Sequence, residues 1–529
     1  MMNLDEYARE ALIDAVGKKN VSFDEAILEV YAYNWGMEVV NSMHGKEPIP
    51  FSTPPVAVVL PSTTKEVSKV LRTCKKHDLT FKAQSTGLGP WNNPSRDNCI
   101  IIDLRQMNHI LKIDERNLFA VIEPYVSGAQ LQSELMKHGL NCHMPGAGPQ
   151  VSLLASSTSM SGPGFTSPST GYSGRNVLGV EWVLPEGEVL KLGSLGLSNE
   201  PDWFCGDGPG PSLRGVMRGL HGAMSGNGVF TRVAIKVFPY PCSTEWEITG
   251  DLPDYQFKKP DHIEFYMFDC SKYKKGERVM RAIEEAEISF MCSMLSGFGA
   301  AAFFSNSLEG VIDKVTIARM RVPILVAITG RTSRQFQYRQ EVMEHLISKF
   351  KLENVIGSKF TPPSISYAEA IRNNFGMHGF ISTGGVRSAH GSMESIGMCM
   401  NVTKANIPLK KKYIKREQIA NDFGEAVWST SIERGHMYNI EAMALYDQCD
   451  KHSITGVAGY CIDSNEMDLH NHLGIPLFVE GDELHDHFGP ECSNYHEWLR
   501  KIKQILDPTC IADPGNYISP GKKKKEGET

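Results

Sequence analysis

The richest cluster of potentially reactive side chains is Asp468-Leu469-His470-Asn471-His472. In an extended segment, alternate side chains point to the same side, so His470 and His472 would face one partner together. An imidazole titrates near neutrality and suits a base or an orienting donor beside a substrate hydroxyl. The same pair suits a metal, with Asp468, Glu480 or His485 completing the shell. A third option is a pair of hydrogen-bonded histidines in a seam between domains. A second cluster, Gly384-Gly385-Val386-Arg387-Ser388-Ala389-His390-Gly391, offers Arg387 as a bidentate anchor for an anion and His390 beside it. Arg434-Gly435-His436 is a weaker copy of that pattern. A third stretch, Ser85-Thr86-Gly87-Leu88-Gly89-Pro90, has glycines spaced to turn backbone N–H groups toward a phosphate. No Gly-x-Gly-x-x-Gly accompanies it, which argues against a Rossmann dinucleotide site.

The elements that must position these residues alternate between strand and helix. Val56 to Leu60, Thr80 to Gln84, Cys99 to Leu104 and Phe119 to Glu123 read as strands. Thr63 with Glu66, and Ser127 with Gln130, make capping boxes ahead of helices. From Pro145 to Gly174 the chain is neutral and rich in Gly, Ser, Thr and Pro, the texture of a loop lining a ligand rather than of charged disorder. Leu178 to Leu184 and Val229 to Phe238 resume the strand pattern. After Pro239-Tyr240-Pro241 come two β-α units, Ile263 to Phe268 with a helix near Glu277 to Ile288, and Ile324 to Thr329 with Ser333 to Phe350. Val427 to Ile432 and Gly456 to Ile462 read as further strands, and Trp498 to Leu506 as an amphipathic helix.

The 529 residues exceed what one core accommodates. We place a first domain at 1–241, a second at 242–462 and a returning segment at 463–529. Lys+Arg 54 against Asp+Glu 61 gives −7 without a basic face, which excludes a nucleic-acid footprint. The Lys522 to Lys525 run reads as a solvated tail. The twelve cysteines contain no Cys-x-x-Cys pair and read as buried thiols. The acidic start, Met1-Met2-Asn3-Leu4-Asp5-Glu6-Tyr7, has no signal-peptide pattern, and no window is apolar enough to span a bilayer. The expectation is a soluble cytoplasmic protein, with a homodimer as the default assembly.

The order of these segments resembles the vanillyl-alcohol oxidase and p-cresol methylhydroxylase family of FAD-dependent oxidoreductases. The resemblance rests on the Pro-Pro-x-Ala-Val-Val strand at 54–59, the Ser-Thr-Gly loop and Ile102-Asp103-Leu104-Arg105-Gln106-Met107-Asn108. It continues through Ala120-Val121-Ile122-Glu123-Pro124, Pro145-Gly146-x-Gly148, Ser161 to Pro168, Gly179 to Glu188, Gly208-Pro209 and Gly228-Val229-Phe230-Thr231. Leu506-Asp507-Pro508 to Asp513-Pro514-Gly515 is similar to the family's C-terminal return to the FAD domain. The resemblance implies an α+β fold with a p-cresol methylhydroxylase-type FAD-binding domain of two α/β subdomains, plus a cap carrying a helix-covered antiparallel sheet.

By the same resemblance, Ser85, Thr86, Gly87, Leu88, Gly89 and Pro90 would cradle the pyrophosphate. Pro145, Gly146, Gly148, Gly162, Gly164 and Thr166 would line the flavin, with Gly228 and Val229 on the adenine side. His470-Asn471 fall where phenol-oxidising members carry a Tyr-Arg pair, and Arg387 and His390 fall in the cap. The implied activity is hydride transfer from a small organic substrate, an alcohol or para-substituted phenol, to FAD and on to a partner acceptor. The missing Tyr-Arg pair keeps open a 2-hydroxy-acid dehydrogenase with a His-bound metal, and a non-catalytic flavin-carrying subunit of an electron-transfer complex. No metal is assigned to the main reading. The phosphate loop has no histidine, so the expected FAD is non-covalent, although His436 or a tyrosine of the cap is an alternative attachment point.

Overall fold

The N-terminal helices α1 (Glu6–Val16), α2 (Glu25–Ala32) and α3 (Met37–Met43) open the chain, with Asp5 and Asp24 accepting hydrogen bonds as N-caps. The computed structural model describes residues 4–94, 96–160, 162–193, 212–218, 222–250, 256–303, 314–358, 385–423, 427–474 and 481–521. The first sheet has the order β1 (Val21–Ser22), β2 (Ala57–Val59), β4 (Cys99–Asp103), β3 (Thr80–Gln84). Strands β2, β4 and β3 run parallel, and the crossover from β2 to β3 is α4 (Thr64–Lys76). Thr63 Oγ1 accepts from the Glu66 amide at 3.2 Å, as the capping box requires. The Glu66 carboxylate, however, reaches one residue further back, to the Ser62 amide at 2.7 Å.

A second, antiparallel sheet joins β5 (Ile110–Asp114), β6 (Phe119–Ile122), β8 (Val177–Val183), β9 (Val189–Leu192) and the long β10 (Val229–Pro239), with β7 (Leu140–Cys142) on its flank. Helix α5 (Gly128–Lys137) follows the Ser127 cap, whose Oγ accepts from Gln130 N at 3.3 Å. The stretch expected to be a loop, 145–174, contains two short helices, α6 (Leu153–Thr158) and α7 (Ser167–Thr170).

After an antiparallel pair, β11 (Glu247–Thr249) and β12 (Gln256–Lys258), the last sheet has six strands, all antiparallel, in the order β13 (Ile263–Asp269), β15 (Pro323–Thr329), β14 (Ser289–Leu295), β17 (Val427–Ile432), β18 (Met437–Tyr446), β16 (Gly385–Glu394). One face is covered by α8 (Tyr273–Glu285), α11 (Ser333–Phe350) and α12 (Ile396–Lys415), which pack a core around Phe268, Met280, Ile324, Met343, Cys399 and Ile440. The short helices α9 (Gly297–Phe303) and α10 (Val315–Ala318) lie near the opposite face.

Gly456 to Ile462 is not a strand. It lies inside the 20-residue helix α13 (Lys451–His470), whose Ile454, Val457, Ala458 and Cys461 recur at helical spacing and are buried. Helices α14 (Gly481–Phe488) and α15 (Tyr495–Leu506) follow, and the chain then returns to the first sheet. Ala512 bridges Phe81 in parallel, and Asp513 pairs with Lys82 at 2.5 Å.

Candidate FAD and substrate cavity

Strand β3 delivers the chain into Ser85-Thr86-Gly87-Leu88, and the loop is pinned on both sides. Asn92 Nδ2 donates to the Leu88 and Gly89 carbonyls at 2.9 and 3.0 Å, and Thr86 Oγ1 accepts from the Ser152 amide at 3.0 Å. Gly87 is left-handed at φ +72°, which a side chain would resist. Opposite this loop, Gly146 presses on the Trp428 indole: a Cβ there would stand 2.7 Å from the ring. Gly228, at φ +121°, is likewise a glycine by necessity, since a Cβ would meet the Val183 carbonyl at 2.2 Å.

Together these segments form one wall of a cavity of about 350 Å³ whose other wall is the last sheet. A volume of this order is typical of a small-molecule site. Ser85, Thr86, Gly87 and Leu88 line it, as do Pro145, Gly146, Gly162, Gly228 and Val229. Gly89, Gly148, Gly164 and Thr166 are not among the residues that line it. Pro90 begins a single turn of 3-10 helix, and its side chain, Ser161 and Gly208-Pro209 lie outside what is described.

The cap face obeys the period-2 alternation of a strand. Along β18, Tyr438, Ile440, Ala442 and Ala444 enter cores, while Asn439, Glu441, Met443 and Leu445 line the cavity. Glu441 pairs in register with Trp428, so it lies beside the indole that touches Gly146. Ser388 Oγ donates to Glu441 Oε2 at 3.0 Å, and Asn439 Nδ2 to Oε1 at 3.3 Å. Glu441 opens onto the cavity but is crowded by protein elsewhere. That burial holds its carboxyl above the ordinary range, and the two hydrogen bonds offset only part of the effect.

The sequence-expected catalytic set is divided by the structure. Arg387 borders the cavity from β16, but its side chain faces with Ala444 into the buried cluster of Cys461, Tyr446 and Glu38 on the other face of the sheet. His390 lies on the same strand, past a bulge between 388 and 390, and its side chain is not among those described. His470, Asn471 and His472 are the correction. They are not an extended segment facing the cavity: His470 ends α13, Asn471 is its C-cap, His472 is left-handed at φ 51°, and all three are exposed away from the lining. The helical run from Asp450 removes the alternation on which their shared facing depended. Asp468 is buried inside that helix, His485 meets the Tyr495 hydroxyl at 2.7 Å, and Glu480 and Gly384 fall outside the described residues. His436 is exposed in the β17–β18 turn, and the neighbouring Arg434 donates to the Ser289 carbonyl. The residues missed in the sequence, Glu441, Trp428 and Asn439, had one usable signal: a lone carboxylate in an alternating strand whose partner strand offers an indole.

Behind the lining, His143 is fully engaged. Its Nε2 faces the Gly162 carbonyl at 2.5 Å and its Nδ1 the Thr170 hydroxyl at 2.9 Å. Burial depresses this imidazole to about 4, so it is neutral at pH 7, with the proton on Nε2.

The fold is α+β of the p-cresol methylhydroxylase type, with an FAD-binding domain forming one wall of the cavity. Residues 55–193 match the FAD binding domain family. Across 98% of both chains, the fold superimposes on substrate-bound p-cresol methylhydroxylase with a TM-score of 0.72 at 16% identity. Among curated proteins, the chain is similar to the glycolate oxidase subunit GlcD of Bacillus subtilis (strain 168), at 24% identity over 235 residues, 44% of this chain and 45% of that protein. It is also similar to the 4-cresol dehydrogenase [hydroxylating] flavoprotein subunit of Pseudomonas putida, at 26% identity over 192 residues, 35% of this chain and 36% of that one. The chain thus spans less than half the length of these curated relatives.

The cavity residues fit FAD. The glycines of the phosphate loop and of the facing wall let backbone come close, and the walls are mostly apolar with few polar side chains.

Proposed function

We propose that this chain is an FAD-dependent dehydrogenase that oxidises a small alcohol or para-substituted phenol and passes the electrons to a partner acceptor. The observation that carries it is Glu441, the one Asp, Glu or His among the described residues lining the cavity. Bound FAD supplies the hydride acceptor. Ser85 to Leu88 would hold its phosphates, and Pro145 to Ala147 and Gly162 its ring side. Glu441 takes the substrate's hydroxyl proton at a carboxylate oxygen, and its raised affinity for protons brings it closer to the working pH of a general base. Ser388 and Asn439 fix which way the carboxylate faces. Trp428, Phe165 and Phe298 exclude water from the reacting end.

We read the flavin as dissociable on the sequence of the phosphate loop, Ser85 to Pro90, which carries no histidine. No helix among the described residues is long and apolar enough to cross a membrane. The many buried free thiols support a reducing compartment such as the cytoplasm. A protein acceptor is in keeping with the relative named as a flavoprotein subunit.

A second reading, a 2-hydroxy-acid dehydrogenase, draws on the glycolate oxidase relative. It does not draw on His470 and His472, which stand elsewhere. Anaerobic mixing of the FAD-loaded protein with 4-hydroxybenzyl alcohol, 4-cresol, glycolate or D-lactate separates these. Bleaching of the visible flavin band by the phenolic compounds is expected. Bleaching by the hydroxy acids alone transfers the assignment to the second reading. Bleaching by none leaves a flavin-carrying subunit and rejects both.

A further inference from the structure

Strand β18 carries the cavity wall past the end of its neighbour. The register of β17 stops at Val427, opposite Ala442, so the edge of β18 beyond that point has lost its partner strand. Met443 and Leu445 stand two residues apart and send their carbonyls to the same edge. The Leu445 carbonyl accepts the Ala420 amide at 2.8 Å. The Met443 carbonyl accepts a side chain instead, the Lys410 ammonium, which also donates to Asp422 Oδ2. Both members of this ion pair are fully buried, and Lys410 comes from α12, on the face of the sheet away from the cavity. Two apolar side chains fill such a space at least as favourably as an ion pair does. They cannot, however, supply a donor for a strand carbonyl that the ladder leaves unpaired.

The position matters because of what stands on the other side of β18. There Met443 is in register with Ser388 of β16. A bulge between Ser388 and His390 follows, and Gly391, which has no side chain, falls opposite Glu441. Ser388 is thereby the β16 side chain that reaches the carboxylate, its Oγ donating to Glu441 Oε2 at 3.0 Å. That bond favours the charged carboxylate and works against the burial that strengthens its hold on a proton. The other side chain bonded to Glu441 is Asn439, which does not titrate.

We propose that Lys410 is a positioning residue for Glu441: with Asp422 it fixes β18 at Met443, and through the pairing of Met443 with Ser388 it keeps the Ser388 hydroxyl on the carboxylate. The proposal rests on the reading of Glu441 as the proton acceptor. It brings into the machinery of the site an ion pair that touches neither substrate nor cofactor.

The test is reduction of the FAD-loaded full chain by 4-hydroxybenzyl alcohol without oxygen, followed against pH. Ser388→Ala is expected to move the rising limb of the rate to higher pH by about half a unit or more, a roughly threefold loss of rate on the limb. Lys410→Met with Asp422→Leu, which removes both buried charges together, is expected to move the limb by the same amount. Adding Ser388→Ala to that pair is expected to move it no further, because all three act through one hydrogen bond. A merely structural loss lowers the rate at every pH alike and leaves the limb where it was. If the apolar pair does not fold, Lys410→Gln with Asp422→Asn, uncharged and one bond short of the Met443 carbonyl, is read in its place. A limb unmoved by Ser388→Ala or by the paired variant overturns the proposal, as do shifts that add. These outcomes, with a limb that Glu441→Gln abolishes, fail the positioning role alone. A wild type without the limb fails the underlying function.

Discussion

At the residue scale, His143 is a buried group outside the reacting end whose protonation bears on stability. Its imidazole is held neutral between the Gly162 carbonyl and Thr170, with a folded value of about 4 against about 6.5 in an unfolded chain. The unfolded state therefore binds the proton first. The stability contributed by neutral His143 is present in full above pH 6.5 and is lost as pH falls toward 4, by about 3 kcal/mol in all. Glu284, pushed up to about 7 by burial, titrates over the same interval with the opposite sign, so the His143 contribution is read as a difference: urea unfolding free energy should rise more steeply from pH 4 to 7 in the wild type than in His143→Gln, which does not titrate. An identical slope in the variant would refute the assignment. Nothing in the sequence marked His143, because its importance comes from a carbonyl 19 residues away rather than from a local pattern. The opposite error occurred at His470 and His472. A close-set histidine pair reads as chemistry in an extended chain, but at the frayed end of a helix it is solvent-facing.

At the element scale, the return of the C-terminal segment is held by four buried charges. Lys82 pairs with Asp513 at 2.5 Å and Lys503 with Asp507 at 2.6 Å, and all four side chains are buried. Lys503 also donates to the Gly226 and Ala512 carbonyls, so it ties α15 to the loop that carries Met224 and Ser225 into the cavity. Removing one partner strands a charge in a dry interior, at a cost of about 3–5 kcal/mol. Lys503→Met and Asp513→Asn should each lower the unfolding free energy by that order, read from urea titrations. Glu186→Gln, which breaks the exposed pair with Lys75, should cost under about 1 kcal/mol. Comparable losses from exposed and buried variants would contradict this reading.

Elements were legible where local rules act alone. Thr63 and Ser127 start the helices their capping boxes announce, and Ser333–Phe350 follows its apolar spacing. The strand assigned to Gly456–Ile462 failed because two glycines and a β-branched run outweighed the spacing of Ile454, Val457, Ala458 and Cys461, which only tertiary burial confirms as a helix face. Strand β18 was overlooked because Met443 and Leu445 on its cavity face are as apolar as the core face, so only Asn439 and Glu441 break the run.

At the scale of the whole molecule, the phosphate loop and the flavin-facing wall were readable as an ordered series of short motifs, since close backbone approach demands glycine at fixed points. The substrate wall was not, because it is assembled from β16, β17 and β18, with Trp35 of the α2–α3 turn joining them from hundreds of residues earlier in the chain. FAD held by residues of both walls would stabilise them together. FAD at 100 times its Kd should add about 2.7 kcal/mol to the unfolding free energy. Calorimetry should show this as a higher Tm with one shared transition. No shift on adding FAD would show that the cavity does not take the cofactor.

The central claim is that Glu441 is the proton acceptor in a reductive step carried out in this cavity, and it is tested most directly by stopped-flow reduction of the FAD-loaded protein by 4-hydroxybenzyl alcohol without oxygen, with Glu441→Gln alongside. A base acts only when deprotonated, so the wild-type rate should rise with pH through the raised value of Glu441 and then level off. The variant should keep its yellow colour, lose about 100-fold or more in rate, and lose that pH dependence. A variant that is reduced as fast as wild type, with the same pH profile, would contradict the account.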